Sequence, residues 1–286
     1  MLAQPGPDLL SLNTATVRAQ WTLAQIIEGC AKHQIRGISP WRDQVAQLGL
    51  KETARLIRDA GLKVSGHCRG GMFPAPDRAG RLAAVEDNRR AVDEAVELGA
   101  ACLVMVVGGL PKGPDGRPVS KDIAGARQMV RDGMAELLEY ARASAMPLAI
   151  EPLHPMYAGD RACVNTMEHA NDLCDELGSG VGIAVDVYHV WWDPRLKAQI
   201  ERAARAAEKR ILAFHVCDWL VPTIDLLNDR GMMGDGVIDI RLIRSWVEAA
   251  GYCGLHEVEI FSAANWWKRN GDEVLATCQE RHRQYV

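Results

Sequence analysis

Val181-Gly182-Ile183-Ala184-Val185-Asp186-Val187-Tyr188-His189 is a short apolar run that ends in an acid and, three residues later, a histidine. An unbroken apolar body of this length suits a strand buried on both faces of a parallel sheet. Three further runs in the second half of the chain also end in side chains of metal-ligand type: Leu148-Ala149-Ile150-Glu151, Ile211-Leu212-Ala213-Phe214-His215 and His256-Glu257-Val258-Glu259.

Between these runs the pattern is helical. Thr166 suits the cap of a helix running to Leu177, Pro194 opens one toward Lys209, and residues 239–250 and 266–283 read as the last two. The first half alternates in the same way, with strands at residues 9–16, 36–39, 63–66 and 101–107 and helices at 22–34, 43–59 and 81–98. A further helix follows Ser120 as its cap, and the glycine- and proline-rich stretches 67–76 and 108–118 read as loops. Eight strand-like and eight helical runs, with no compositional break to serve as a linker, predict one (β/α)8 TIM barrel domain over residues 1–286. A doubly wound open sheet is the runner-up, because periodicity does not distinguish closed from open parallel sheets.

Bulk composition narrows the partners. The 286 residues are 48% hydrophobic and 24% charged with a net charge of -4, which provides no electrostatic footprint for nucleic acid or an anionic membrane. The eight cysteines form no CxxC pair and read as reduced thiols packed as small hydrophobes. The segment 1–7 lacks a basic stretch followed by an apolar core, and the longest apolar run, residues 100–107, is too short for a bilayer. The expectation is a cytoplasmic protein acting on a small molecule, with the tryptophans near the C-terminus suited to a homo-oligomer.

In a (β/α)8 barrel the C-terminal strand ends converge on one face. Glu151, Asp186, His215 and Glu259 end the fifth to eighth predicted strands, so they are expected to meet there. Three carboxylates and an imidazole make a hard, mostly oxygen donor set for Mn²⁺, Mg²⁺ or Co²⁺, with Zn²⁺ as a further candidate. Taken singly, an acid at a strand end is more often a helix cap; four in succession favour a shared metal. Glu257 competes with Glu259 because period-two alternation gives both the same face, and Glu259 is preferred as the later residue.

Ile150-Glu151-Pro152, the D-x-x-H from Asp186 to His189, the H-x-x-D from His215 to Asp218, Asp229-Arg230 with Gly234-Asp235-Gly236, and Gly251-Tyr252-Cys253-Gly254 leading to Val258-Glu259-Ile260 together resemble the xylose isomerase-like TIM barrels. The resemblance implies one divalent ion, Mn²⁺ foremost, held by Glu151, Asp186, His215 and Glu259, with Glu151 and Glu259 as the acid–base pair. It also implies a substrate contact for His189. Arg230 is a candidate to fix an oxygen-bearing group, His67 to reach the pocket from the third strand, and Asp218 to join them as a substrate-binding residue. Trp41, His154 and tryptophans 191, 192, 219, 266 and 267 are candidates for an apolar wall.

The implied activity is isomerisation or epimerisation of a keto-sugar or polyol derivative by glutamate-mediated proton transfer through a metal-stabilised enediolate. The alternative is a lyase or dehydratase, of inosose or dehydroshikimate type or eliminating a ketosugar conjugate. A DNA-repair nuclease of the endonuclease IV type fits less well, because Gly231 follows Arg230 where that nuclease has a histidine and the fourth strand ends without one.

Overall fold

The computed structural model describes residues 3–286; Met1 and Leu2, at the start of the segment read for targeting, lie outside the described residues. The strands are β1 (Leu10–Asn13), β2 (Gly37–Ser39), β3 (Lys63–Val64), β4 (His67–Gly71), β5 (Leu103–Val106), β6 (Leu148–Ile150), β7 (Val181–Asp186), β8 (Ile211–Val216), β9 (Asp218–Trp219), β10 (Arg230–Gly231) and β11 (His256–Val258). Nine of them form one parallel sheet in the order β3-β2-β1-β11-β8-β7-β6-β5-β4, while β9 and β10 make a separate antiparallel pair. The two edges of the large sheet, β3 and β4, are separated in the chain only by Ser65 and Gly66, so they are one barrel strand interrupted in the middle. The Cys68 N–H donates to Pro40 O at 3.1 Å across that seam. This is the expected (β/α)8 barrel.

The helices are α1 (Leu23–Lys32), α2 (Arg42–Leu48), α3 (Leu50–Asp59), α4 (Arg78–Leu98), α5 (Ile123–Ala143), α6 (Met167–Leu177), α7 (Val187–Val190), α8 (Leu196–Ala204), α9 (Ile240–Ala249) and α10 (Gly271–Tyr285). Thr22 and Gln25 form a reciprocal cap that starts α1, and Thr166 caps α6 through the His169 N–H, as its position predicts. Three local expectations differ. The helix read over 43–59 is broken at Gly49, whose φ of +97° no helical residue adopts. Asp122, not Ser120, caps α5 by accepting from the Gly125 N–H. Residues 67–71, read as loop, pair with β5, because Gly71 meets the backbone of that strand at close range. A Cβ on Gly71 would stand 1.9 Å from Val106 O.

The apolar residues fall into two shells. The large core lies between barrel and helices, where Leu12, Ile38, Leu103, Ile150, Ile183 and Phe214 are fully buried. A small cluster of Cys68, Cys102, Val104, Ala149, Ala184 and Ala213 fills the barrel interior. Their short side chains leave space in the barrel for the larger polar side chains two residues further along the same strands. All eight cysteines are free thiols and seven are buried. Among the described residues no helix is long and apolar enough to cross a membrane.

Candidate metal centre and active site

Three of the four predicted ligands arrive by the same device. Ala149, Ala184 and Ala213 face the barrel interior, so alternation turns Glu151, Asp186 and His215, two residues on, to the same side. One donor atom each from Glu151, Asp186, His215 and Glu259 falls within 4.8 Å of the others, and all four residues are buried. The lower carboxylate, Glu257, is His215's register partner on β11. It sits beneath the four, 1% exposed, with Oε1 accepting from Asn13 Nδ2 at 2.7 Å and Oε2 from Ser65 Oγ at 2.7 Å. The preference for Glu259 over Glu257 as a member of the cluster therefore agrees with the geometry.

His215 presents Nδ1 to Glu151 Oε1 at 3.0 Å and to Glu259 Oε2 at 3.9 Å. Asp186 divides its oxygens: Oδ1 accepts the Tyr188 N–H at 2.8 Å and caps α7, while Oδ2 meets Arg230 Nη1 at 3.0 Å. Cap and candidate ligand are thus one residue. The same Nη1 lies 3.0 Å from Glu259 Oε2, and the guanidinium covers the Tyr188 ring at 4.4 Å.

These contacts set the protonation of the cluster. Burial disfavours an imidazolium at His215, but Glu257, Glu151 and Glu259 outweigh it and hold the group well above the usual histidine range. Burial, helped by Glu151 and Glu257 and opposed by Arg230 and His215, pushes the Glu259 carboxyl up to about 7. Burial also raises Asp186, against the pull of Arg230. His189 moves the other way, well below its ordinary value through burial and then Arg230, despite Asp186 Oδ2 at 3.5 Å. Its Nδ1 accepts the His154 backbone N–H at 3.2 Å, while its Nε2 lies 3.2 Å from the donor Nη2 of Arg230 and 3.5 Å from Asp186 Oδ2.

The donor set fits a divalent cation. Four buried carboxylates gather around one imidazole with Arg230 as their buried arginine partner, an excess of negative charge that a hard dication held by Glu151, Asp186, His215 and Glu259 would offset. The cluster opens into a pocket of about 450 Å³ lined by Glu151, Glu259, His189 and Arg230. Trp41, Leu153 and Phe261 form its apolar wall.

Two predicted site residues lie elsewhere. His67 is buried on the outer side of the barrel, with Nδ1 3.0 Å from Pro40 O and Nε2 3.2 Å from Glu94 of α4. Alternation gives the interior to its neighbour Cys68 instead. Asp218 accepts the backbone N–H groups of Trp219, Gly234 and Ile238 at 2.9, 2.9 and 3.0 Å, which commits its carboxylate to holding the loop after β10. Of the aromatic candidates Trp41 lines the pocket, whereas His154 stacks on Trp219 with ring centroids 4.8 Å apart. The sequence reading passed over Asn13, Arg69, Tyr157 and Arg161. Asn13 ends β1, so the strand-end rule that found the four ligands would have found it too. The other three sit on a bulged strand and a long loop, where no periodicity points inward.

Comparison with known proteins places these observations in a family context. The model of the xylose isomerase-like TIM barrel family matches residues 25–278. No curated protein matches the chain. Among solved structures, a protein from Sinorhizobium meliloti is 61% identical, with a TM-score of 0.94 over 98% of this chain and 99% of that one. The IolI protein, solved with a bound zinc atom, is 20% identical with a TM-score of 0.78 over 97% and 99%. The 3-keto-D-glucoside 4-epimerase YcjR of E. coli is 18% identical with a TM-score of 0.73 over 95% and 99%. At these lower identities the likeness is one of fold.

Proposed function

The chain belongs to the xylose isomerase-like TIM barrel family, and from that premise we propose that it is a metal-dependent isomerase or epimerase of a small keto-sugar or polyol derivative. The observation that carries this reading is the convergence of Glu151, Asp186, His215 and Glu259 within 4.8 Å at the floor of a pocket of about 450 Å³. We assign the ion as Mn²⁺, with Mg²⁺, Co²⁺ and Zn²⁺ as competitors for the same donors. When bound, it supplies Lewis-acid polarisation of a carbonyl, which acidifies the neighbouring C–H and lowers the energy of the resulting enediolate.

The remaining chemistry falls to side chains. Glu151 and Glu259 both border the pocket; one carboxylate takes the proton from the carbon beside the carbonyl, and a proton returned by the other completes the exchange. Return to the adjacent carbon isomerises the substrate, and return to the opposite face of the same carbon epimerises it. His189, which lines the pocket, contacts a substrate oxygen. Arg230 holds Asp186 and Glu259 in place and balances part of their charge. Trp41, Leu153 and Phe261 exclude water that would compete for the proton.

The test is metal analysis of the purified protein, then a screen of keto-sugars, inososes and dehydroshikimate for solvent deuterium incorporation at carbon. Exchange that needs the metal and is lost in Glu151→Gln and Glu259→Gln supports the reading; full exchange in Glu259→Gln overturns the two-glutamate mechanism.

A further inference from the structure

The pocket that holds the carboxylates is also lined by two arginines with no part in the proposed proton transfer. Arg69, at the bulge of β4, and Arg161, on the loop before α6, both line the pocket and both are partly buried. Arginines withdrawn from solvent elsewhere in the chain have partners. Arg42 binds Asp87 at 2.8 Å and Glu94 at 2.7 Å, Arg210 binds Asp175 at 2.7 Å, and Arg127 donates to Cys163 O at 3.1 Å. Among the described residues Arg58, Arg78, Arg205, Arg241 and Arg283 also lack an ion pair or a side-chain hydrogen bond, but all five are exposed and solvated. Arg69 and Arg161 alone combine partial burial with the lack of an acceptor, and they do so in the same cavity.

Such an arrangement has a cost. A guanidinium partly withdrawn from water meets fewer solvent acceptors for its five N–H groups, and a second cation beside it adds repulsion. Burial first and Arg161 second pull Arg69 below the ordinary arginine range. Charge balance points the same way. The four carboxylates of the floor, set against Arg230 and a dication, leave one negative charge; adding Arg69 and Arg161 makes the loaded pocket cationic. Past Arg69 the pocket continues into a second cleft of about 790 Å³. There Arg18 and Arg42 are already neutralised by Asp43 and by Asp87 and Glu94, so Arg69 remains the free cation at the junction.

Resting on the isomerase reading for the identity of the reacting end, we propose that the substrate is an acid: a keto- or polyhydroxy compound bearing an oxyanion, carboxylate or phosphate, held between Arg69 and Arg161 while its carbonyl end meets Glu151 and Glu259. Guanidinium groups recognise both oxyanions through paired N–H donors, so the shared chemistry is what the wall selects. A neutral sugar would offer hydroxyl acceptors but no charge to balance the two guanidinium groups.

Unreactive matched probes separate this proposal from the catalytic one. Calorimetric titration of the full-length Mn²⁺-loaded protein compares glycerol with glycerate and with glycerol 3-phosphate. At least one acid is expected to bind about tenfold or more tightly than glycerol, the value of one or two charge-assisted hydrogen bonds, and the better acid identifies the oxyanion. Arg69→Gln/Arg161→Gln should abolish the preference, and Arg69→Lys should keep part of it. Circular dichroism and Mn²⁺ affinity of each variant confirm that it is folded. Equal binding of glycerol and both acids, or an acid preference that survives in the double variant, overturns the proposal. Deuterium exchange on neutral ketoses without any acid preference would sink this inference and leave the isomerase reading standing. Acid preference without exchange on any ketose or keto-acid would do the reverse.

Discussion

His215 and Glu257 face each other in register across β8 and β11, with the imidazole Nε2 3.6 Å from Glu257 Oε1. Asn13 and Ser65 fix the carboxylate from below. A metal ion bound where Glu151 and Glu259 converge would take Nδ1 and leave the ring's remaining proton on Nε2, on the side of the Glu257 carboxylate, whose charge favours that tautomer.

Glu257→Gln keeps the shape and removes the charge that holds this tautomer. Mn²⁺ affinity, measured by calorimetry, is expected to fall about tenfold, within the roughly 10–100-fold typical of residues that orient a ligand. Unchanged affinity would show that Glu257 merely fills space.

Arg230 joins Asp186 Oδ2 and Glu259 Oε2 at 3.0 Å each. Removing one partner of a buried ion pair strands the other, so Arg230→Gln should destabilise the metal-free protein by about 3–5 kcal/mol. The rise in Tm on adding Mn²⁺ should then exceed that of the parent protein, because the ion becomes the sole neutraliser of two buried carboxylates. A smaller rise contradicts this account.

Replacing either acid–base glutamate should slow solvent exchange by roughly 10²–10⁴-fold, the usual contribution of a positioned proton-transfer group. Both are also metal donors in our reading. Exchange in Glu151→Gln and Glu259→Gln is therefore measured at saturating Mn²⁺, so that lost proton transfer is not confused with lost ion.

A second pair of buried groups governs acid stability. His256 Nδ1 and His282 Nε2 lie 3.1 Å apart between β11 and α10. Burial, with Arg244, lowers His256 to about 4, and burial, with His256 and Arg244, lowers His282 to about 3. Unfolded histidines take up protons near pH 6.5, so below that pH the unfolded state binds more protons than the fold. Stability should be full above about pH 6.5 and fall as pH drops toward 4, by about 1.4 kcal/mol per pH unit for each histidine. Urea titrations at pH 7, 6 and 5 measure the slope, and His282→Gln should reduce it by about 1.4 kcal/mol per pH unit.

Several site assignments were legible because they depend on a rule that is local along the chain. A residue two positions beyond an inward alanine points inward, which carries Glu151, Asp186 and His215 into the barrel from strand patterning alone. The same rule fails for His67, since the strand runs on past it, further than the glycine content suggests, and the inward register belongs to Cys68. Asp218 was misread for a different reason. A motif spacing records how far apart residues stand, and here the carboxylate is spent on three backbone N–H groups of a loop that follows it.

The sequence by itself determined the alternation of buried strands and amphipathic helices, hence a parallel α/β fold, and the four polar strand ends, because both follow from periodicity within short segments; closure into a barrel came from the tertiary structure. The tertiary structure alone decided which layer each glutamate of His256-Glu257-Val258-Glu259 occupies, since the stagger between β8 and β11 sets Glu257 opposite His215 and lifts Glu259 to the floor of the pocket. It also decided that Arg69 and Arg161, far apart in the chain, share one cavity in which neither is paired with a carboxylate. Charge balance in a cavity is a sum over residues brought together by closure of the barrel, and no local pattern contains that sum.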